Sequence, residues 1–261
     1  MKATDHIQAI YAEFAKVRHT RISWATFVAF ALGPIMGGVF LIILSDPSLN
    51  HSPALTAKAA AMSFSVNWNS YIDMLAQVVG VGGVLVFGFV ASWVFGREYS
   101  DRTVKDLLAM PVSRTTILNA KFVCYGCWCF ALAVSNLIIG FIIGFVLDLP
   151  VSNQGSLAAS LGVYVVTTLL AIPLGTCAAF LALAGKGYLS PLAFVCLTIV
   201  VGQIIGALGF ATYFPWAIPG LFSMSSEYRN GLQLPSYVLL VLTGIAGYAA
   251  ALWWWGHTDQ Q

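Results

Sequence analysis

The chain has 261 residues, of which 59% are hydrophobic and only 8% are charged. Soluble domains carry about 25% charged residues, so this composition excludes a water-soluble globular protein and predicts a chain that lives in a lipid bilayer. The formal net charge of +2 is too small, and its charges too scattered, to predict a nucleic-acid partner.

The first predicted element is an amphipathic helix over residues 4–19. Its apolar residues recur at the i, i+3, i+4, i+7 spacing of one helical face: Ile7, Ile10, Tyr11 and Phe14. The opposite face is polar and carries Glu13 and Lys16. Such a helix is expected to lie in the inner membrane surface, with its basic end near anionic lipid headgroups.

Six long uncharged runs follow, each longer than the roughly 20 apolar residues that cross a bilayer as a helix. The predicted spans lie near residues 22–44, 74–96, 119–147, 157–184, 188–211 and 236–256. We therefore predict an all-α polytopic membrane protein that forms a single transmembrane domain over residues 1–261. Ten of the 12 Lys and Arg residues fall on the side of the N-terminus, which places both termini in the cytoplasm and the protein in the cell membrane.

The loop between the second and third predicted spans contains a short helix and then a corner. Ser100 is predicted to cap this helix, which the i,i+4 pair of Glu98 and Arg102 would support. Pro111 disfavours helical geometry at the residue before it, and Ser113 is predicted to cap a new helix that rises into the third span.

Val104, Leu107 and Leu108 are predicted to form an apolar ridge on this short helix. A solvated loop gains nothing from three exposed aliphatic side chains, so the ridge is expected to dock. Two surfaces remain open to it, a protein partner or the membrane helices of the chain itself, and the pattern favours the partner.

Chemistry that a membrane enzyme or a metalloprotein would need is missing from the predicted spans. The four histidines lie outside them: His6, His19, His51 and His257. The segment 185–187 lacks the first glycine and the final Ser or Thr of a phosphate-binding loop. We therefore expect no catalytic residue, no metal site and no bound cofactor in this chain, which is predicted not to be an enzyme.

Four polar side chains inside the spans have two interpretations: Gln77, Asn136, Thr167 and Gln203. They could line a substrate path, or they could form hydrogen bonds between helices. The aromatic, proline-broken segment 212–226 is too irregular to cross the membrane, and we expect it to be re-entrant or interfacial on the outer side.

The first inner loop resembles a pattern of ATP-binding-cassette export permeases of the ABC-2 type. The matching residues are Glu98, Thr103, Lys105, Leu107, Leu108, Pro111, Ser113, Arg114 and Lys121. The opening residues resemble the bacitracin-resistance and lantibiotic-immunity branch of that family: Glu13, Lys16, Arg18 and Trp24.

This resemblance implies a permease subunit whose inner loop is a cytoplasmic coupling helix that touches a separate ATPase. The implied coupling residues are Glu98, Arg102, Thr103, Val104, Lys105, Leu107, Leu108, Pro111 and Arg114. It also implies two copies of the ATPase, which bind ATP and Mg, and a second permease chain, identical or related. An outer gate is implied at Phe214, Trp216 and Phe222, with simple loop packing of these residues as the alternative.

The apolar spans favour a lipophilic or amphiphilic cargo, such as a peptide antibiotic, a lipid or a drug, exported with energy from the partner's ATP hydrolysis. Two other classes stay open. One is a channel or secondary transporter that works without an ATPase, and the other is a membrane scaffold or sensor subunit that recruits a cytosolic partner.

Overall fold

The computed structural model describes residues 3–18, 20–45, 65–104, 112–151 and 156–257. Helices and short turns make up these residues, and no strand occurs among them. Six helical segments within them are long and apolar enough to cross a membrane, which confirms the predicted all-α polytopic membrane fold.

The chain begins with helix α1, Ala3–Arg18, which precedes the spans. The first span is α2, Arg21–Ser45. The second span combines α3 (Trp68–Gln77), a π-helical turn (Val78–Gly83) and α4 (Val84–Ser100). The third span is α5, Arg114–Val146.

The fourth span combines α6 (Leu157–Ala171), a 3₁₀ turn (Ile172–Leu174) and α7 (Gly175–Ala184). The fifth span is α8, Leu189–Ala207. A broken segment follows, made of two 3₁₀ turns (Ala211–Tyr213 and Pro215–Ala217) and the short helices α9 (Ile218–Ser223) and α10 (Ser226–Gly231). The sixth span is α11, Leu234–His257.

The second and third spans begin earlier than their hydropathy predicts. Asn67 caps α3, and its side chain accepts a hydrogen bond of 2.9 Å from the backbone N–H of Ser70. The predicted cap at Ser113 is present, since its hydroxyl accepts from the backbone N–H of Thr116 at 3.2 Å. Hydropathy locates the apolar part of a helix, whereas the cap decides where the helix starts.

Several helices end in a left-handed residue that closes the last turn. Arg102, Asp148 and Lys186 have φ angles of 58°, 47° and 48°. Each is followed by a residue whose N–H returns to the last turn, as in the 2.9 Å bond from Thr103 N to Glu98 O. These are Schellman-type ends, in which glycine is the usual residue at the left-handed position.

The second span is the centre of the bundle. In the most apolar part of this span 67% of the residues are buried, whereas the corresponding share in the fifth span is 17%. Its glycine-rich π turn packs on α9, and a Cβ built at Gly80 would lie 2.7 Å from the carbonyl oxygen of Pro219. Close backbone approach therefore joins the middle of the second span to the broken segment.

The sixth span packs against the fourth through small residues. A Cβ built at Gly247 would lie 2.7 Å from the backbone nitrogen of Cys177 and 2.8 Å from the carbonyl carbon of Thr176. Neither backbone atom can move away as the end of a flexible side chain would. Gly162, by contrast, has nothing within 4 Å of the corresponding position.

We expect Gly247→Ala to lower the free energy of unfolding by about 1–3 kcal/mol, because the methyl group forces α11 away from α7. The matched change Gly162→Ala should leave stability unchanged or raise it by about 0.5–1 kcal/mol, since alanine is the better helix former. Thermal unfolding of both variants in detergent measures the difference. Equal melting temperatures would contradict the close packing.

Candidate functional site

Four charged side chains meet where α1 crosses the ends of the second and third spans. Lys121 Nζ lies 2.9 Å from Glu98 Oε1 and 3.4 Å from Glu13 Oε2. Lys16 Nζ lies 2.6 Å from Glu13 Oε1 and 2.9 Å from Glu98 Oε1. The two carboxylates and two ammonium groups form a closed ring of contacts, which we call the charge cluster.

The charge cluster is buried and electrically neutral. Lys121 is 1% exposed, Glu98 4% and Glu13 6%. A buried charge costs several kcal/mol unless it is paired, so a ring with equal numbers of acids and bases is the arrangement that such a site tolerates. Lys121 makes a further 3.3 Å hydrogen bond to the carbonyl oxygen of Val94, which ties it to α4.

Lys16 is the most accessible member of the cluster. Burial disfavours its ammonium form, but the carboxylates of Glu98 and Glu13 together outweigh that effect and raise the pKa of Lys16 above its ordinary 10.5. A raised lysine pKa contributes stability that is fully present below 10.5 and is lost only as the pH rises through the folded-state pKa. Lys16 is therefore charged throughout the physiological range.

The local structure of each helix explains why these side chains meet. Glu98 lies in the last turn of α4, and Lys121 lies about two turns after the start of α5. Glu13 and Lys16 are three residues apart on α1, which places both on the face that packs on the bundle. Ile7 and Tyr11, on the other face of α1, are exposed.

The charge cluster joins the two ends of the loop that the resemblance identifies as the coupling helix. Glu98 precedes this loop and Lys121 follows it, and their side chains meet at 2.9 Å. Lys105, Leu107, Leu108 and Pro111 lie outside the described residues. Their coupling role therefore stays a prediction.

The structure corrects two predictions about the start of this loop. Ser100 does not cap a new helix, because it is the last residue of α4. Glu98 does not pair with Arg102, because the left-handed φ of 58° turns Arg102 out of the helix. Glu98 instead pairs with Lys16 and Lys121.

The other predicted coupling residues have different environments. Val104 is buried in the chain's own hydrophobic core, so it is not part of an exposed docking ridge. Thr103 and Arg114 are exposed on either side of the loop. The carbonyl oxygen of Arg114 accepts a 3.1 Å hydrogen bond from Trp255 Nε1, which fixes the start of α5 against the sixth span.

The predicted path residues lie in separate places. Asn136 is fully buried and bonds to the carbonyl oxygen of Phe30 at 3.2 Å, and its Oδ1 accepts from the Tyr164 hydroxyl at 3.2 Å. These bonds join the first, third and fourth spans. Thr167 is buried, and its hydroxyl has no hydrogen-bond partner among the described residues. Gln77 is half-buried at the end of α3, directly before the π turn.

Gln203 lines a cavity of about 150 Å³ between the second span, the fifth span and the broken segment. Its wall is mostly apolar and also contains Thr198, Gly202 and Trp216. Trp216 packs against Phe214, with ring centroids 5.5 Å apart. Of the predicted gate residues, Trp216 thus faces the same cavity as Gln203.

Phe222, the third predicted gate residue, lies near the opposite end of the broken segment. Its ring lies 5.3 Å from the guanidinium carbon of Arg229 and 6.4 Å from the ring centroid of Tyr237. The segment 211–223 is broken into short turns and one short helix, as its prolines predict.

Six apolar helices and a polar cluster at one end of the second and third spans define a multi-pass membrane protein. The chain belongs to the ABC-2 family of transporter proteins, whose family model matches residues 9–203. It is also similar to the bacitracin transport permease protein BCRB of Bacillus licheniformis, with 22% identity over 190 residues, 73% of this chain and 91% of the relative. The chain is accordingly a transmembrane permease subunit of an ABC transporter, and the family implies an ABC ATPase as its partner.

All four residues of the charge cluster lie within the segment that matches the family. Sequence reasoning included Glu98 among the site residues but left Glu13, Lys16 and Lys121 outside the site. The signal was present, because these three are among the four charged residues of the resemblance that were left outside the site, the fourth being Arg18. The four residues lie on three different helices, so the sequence spacing alone could not show that their side chains meet.

We expect Glu98→Gln to destabilise the protein by about 3–5 kcal/mol, because it leaves Lys16 and Lys121 with one carboxylate between them. Asp101→Asn is the matched control, since Asp101 is 61% exposed and only 3.9 Å from Arg97, and surface pairs contribute about 0–1 kcal/mol. Thermal unfolding in detergent compares them.

The double variant Glu98→Gln/Lys121→Met retains the neutral pair of Glu13 and Lys16. Its loss of stability should therefore be smaller than the sum of the two single losses. Strictly additive losses would mean that Glu98 and Lys121 do not act as one unit.

Proposed function

We propose that the chain works as one of two permease subunits, identical or related, that assemble with two copies of a separate ATPase. In this arrangement the ATPases bind ATP and Mg, and this chain has no ATP-binding role of its own. The observation that carries the proposal is the ion pair between Glu98 and Lys121, which joins the two ends of the inner loop at 2.9 Å. A loop closed in this way transmits a push to two spans at once.

Charge distribution supports an orientation with both termini in the cytoplasm. Ten of the 12 Lys and Arg residues lie on that side, including the lysines of the charge cluster. The exposed apolar side chains of α1, among them Ile7 and Tyr11, would contact the inner leaflet while its charged face holds the bundle. The inner loop then faces the compartment that contains ATP.

The second span offers a route from the inner loop to the cavity. Helix α4 is a continuous rod of 17 residues that leads from Glu98 to the π turn. π turns interrupt the regular hydrogen-bond ladder and often lie at functional sites. A displacement of α4 would be absorbed at Val78–Gly83, where the second span contacts the broken segment, and it would change the shape of the cavity.

The cavity supports a lipophilic or amphiphilic cargo. Its mostly apolar wall, with Thr198 and Gln203 as polar groups, matches a ligand that offers apolar surface and a few hydrogen bonds. The relative from Bacillus licheniformis is a bacitracin transport permease protein, which supports a peptide antibiotic as cargo. The aromatic pair Phe214 and Trp216 would gate the outer side.

The fifth span leaves most of its surface outside the bundle, since 17% of the residues in its most apolar part are buried. This surface is the one on which we place the second permease chain.

The docking of the ATPase is tested by Leu107→Glu/Leu108→Glu. Two charges on the predicted ridge would have to be buried in the interface, so we expect the ATPase to stop co-purifying while membrane insertion is unaffected. Tyr228→Glu, at an exposed position at the opposite end of the bundle, should retain the ATPase. Retention of the ATPase by the double variant would overturn the coupling assignment.

The cargo path is tested by Gly202→Leu, which places an isobutyl group in the cavity near Phe214. We expect cargo-stimulated ATP hydrolysis to fall at least about tenfold, because the side chain occupies the volume that the cargo needs. Gly162→Leu makes the same change at an exposed position with open space around it. Equal stimulation in the two variants would place the cargo elsewhere.

A further inference from the structure

A second cavity, of about 340 Å³, lies at the end of the second span that is remote from the charge cluster. It is formed by the first turns of α3 and α6 and by the start of α10. Six serines and two asparagines line it: Ser65, Asn67, Asn69, Ser70, Ser156, Ser160, Ser225 and Ser226. It is the polar counterpart of the apolar cavity around Gln203.

Among the described residues, two charged side chains line this cavity, and they have opposite signs. Asp73 comes from α3 and Arg229 from α10. They interact electrostatically, yet none of the ion pairs among the described residues joins them. The described part of its wall thus carries one positive and one negative group that are separated from each other.

Arg229 is held in place by the backbone of the broken segment. Its Nε donates to the carbonyl oxygen of Phe222 at 3.0 Å, and its Nη2 donates to the carbonyl oxygen of Met224 at 3.1 Å. The guanidinium carbon lies 5.3 Å from the centroid of the Phe222 ring. A guanidinium has five N–H donors, so a fixed Arg229 retains donors for an anion.

Asp73 lies on the other side. It lines the cavity together with Ser160 of α6, and an ionised carboxylate can accept several hydrogen bonds. Because Arg229 is tied to Phe222 and Met224, it does not close onto Asp73. Each of these two groups can therefore take an opposite charge from a ligand.

We propose that this cavity binds a zwitterionic phosphoethanolamine-like group, with its ammonium at Asp73 and its phosphate at Arg229, supplied by a phospholipid headgroup. An anionic ligand would meet the repulsion of Asp73, and a neutral one would desolvate both charges without compensation. Arginine and serine side chains donate hydrogen bonds to phosphate. The cavity lies at the starts of the second and fourth spans, and the end of a membrane-spanning helix is where it meets lipid headgroups. The proposal goes beyond transport, because it requires neither the ATPase nor the coupling loop.

The test measures lipid binding to the purified full-length protein in detergent, by native mass spectrometry without nucleotide. Phosphatidylethanolamine and phosphatidylglycerol with the same acyl chains are titrated. The wild type should retain phosphatidylethanolamine preferentially. Equal retention of the two lipids would overturn the proposal.

Single-residue variants test which group of the lipid each of the two charged residues binds. Asp73→Asn should weaken phosphatidylethanolamine binding about tenfold without weakening phosphatidylglycerol binding, since only the ammonium contact is lost. Arg229→Gln should weaken both lipids, because both carry a phosphate. Glu227→Gln makes the same acid-to-amide change on α10, at an exposed position that does not line the cavity, and should bind as the wild type does.

Two further measurements separate the remaining explanations. The melting temperature of each variant shows that it is folded. Asp73→Glu retains the charge and should retain the preference for phosphatidylethanolamine, and a folded Asp73→Glu variant that lacks this preference would contradict the assignment of the ammonium to Asp73. Free phosphoethanolamine is added as a competitor. If it binds as tightly as the lipid, the lipid source is overturned, and if Asp73→Asn and Arg229→Gln both bind lipid as the wild type does, the site is overturned.

Discussion

Burial of three charges and their pairing with Lys16 at one end of the bundle is the constraint on which the rest of the structure depends. Lys121 and Glu98 are almost completely removed from solvent, and each is tolerable only because the other, together with Glu13 and Lys16, neutralises it. This requirement fixes α1 in register with two spans. A helix held only by lipid-facing side chains could slide along the membrane surface, whereas a ring of ion pairs permits one position.

The same ring gives the proposed coupling role a structural basis, because it joins the two ends of the inner loop. Glu98 and Lys121 stand on either side of the inner loop, so a displacement of the loop moves α4 and α5 together. At its other end α4 meets the π turn, where Gly80 has the carbonyl of Pro219 against it. Rigid at the charge cluster and adaptable at the π turn, the second span has the properties of a lever whose far end adjoins the apolar cavity.

Hydropathy and charge were sufficient to predict the six spans and the helical class, and capping chemistry predicted the start of α5 at Ser113. The end of α4 could not be read from the sequence. Helix ends of this type usually have glycine in the left-handed position, but here Arg102 takes a φ of 58°, so the sequence carried no stop signal. Ser100 therefore looked like the cap of a new helix, and Glu98 was given the wrong partner. Long-range ion pairs between helices leave no periodic pattern, which is why the charge cluster emerged only from the packing.

Two polar sites thus lie at opposite ends of the second span, and they differ in how their charges are arranged. In the charge cluster each of the four charges is paired with another of them, which suits this end to the proposed mechanical coupling. At Asp73 the opposite charge of Arg229 is held away by backbone carbonyls, so this end can still accept charges from outside. Since both sites are built on one helix with a π turn between them, a shift of the inner end would alter the wall of the outer cavity. Lipid bound at Asp73 and Arg229 would then oppose or favour that shift, according to which shape of the cavity it fits better.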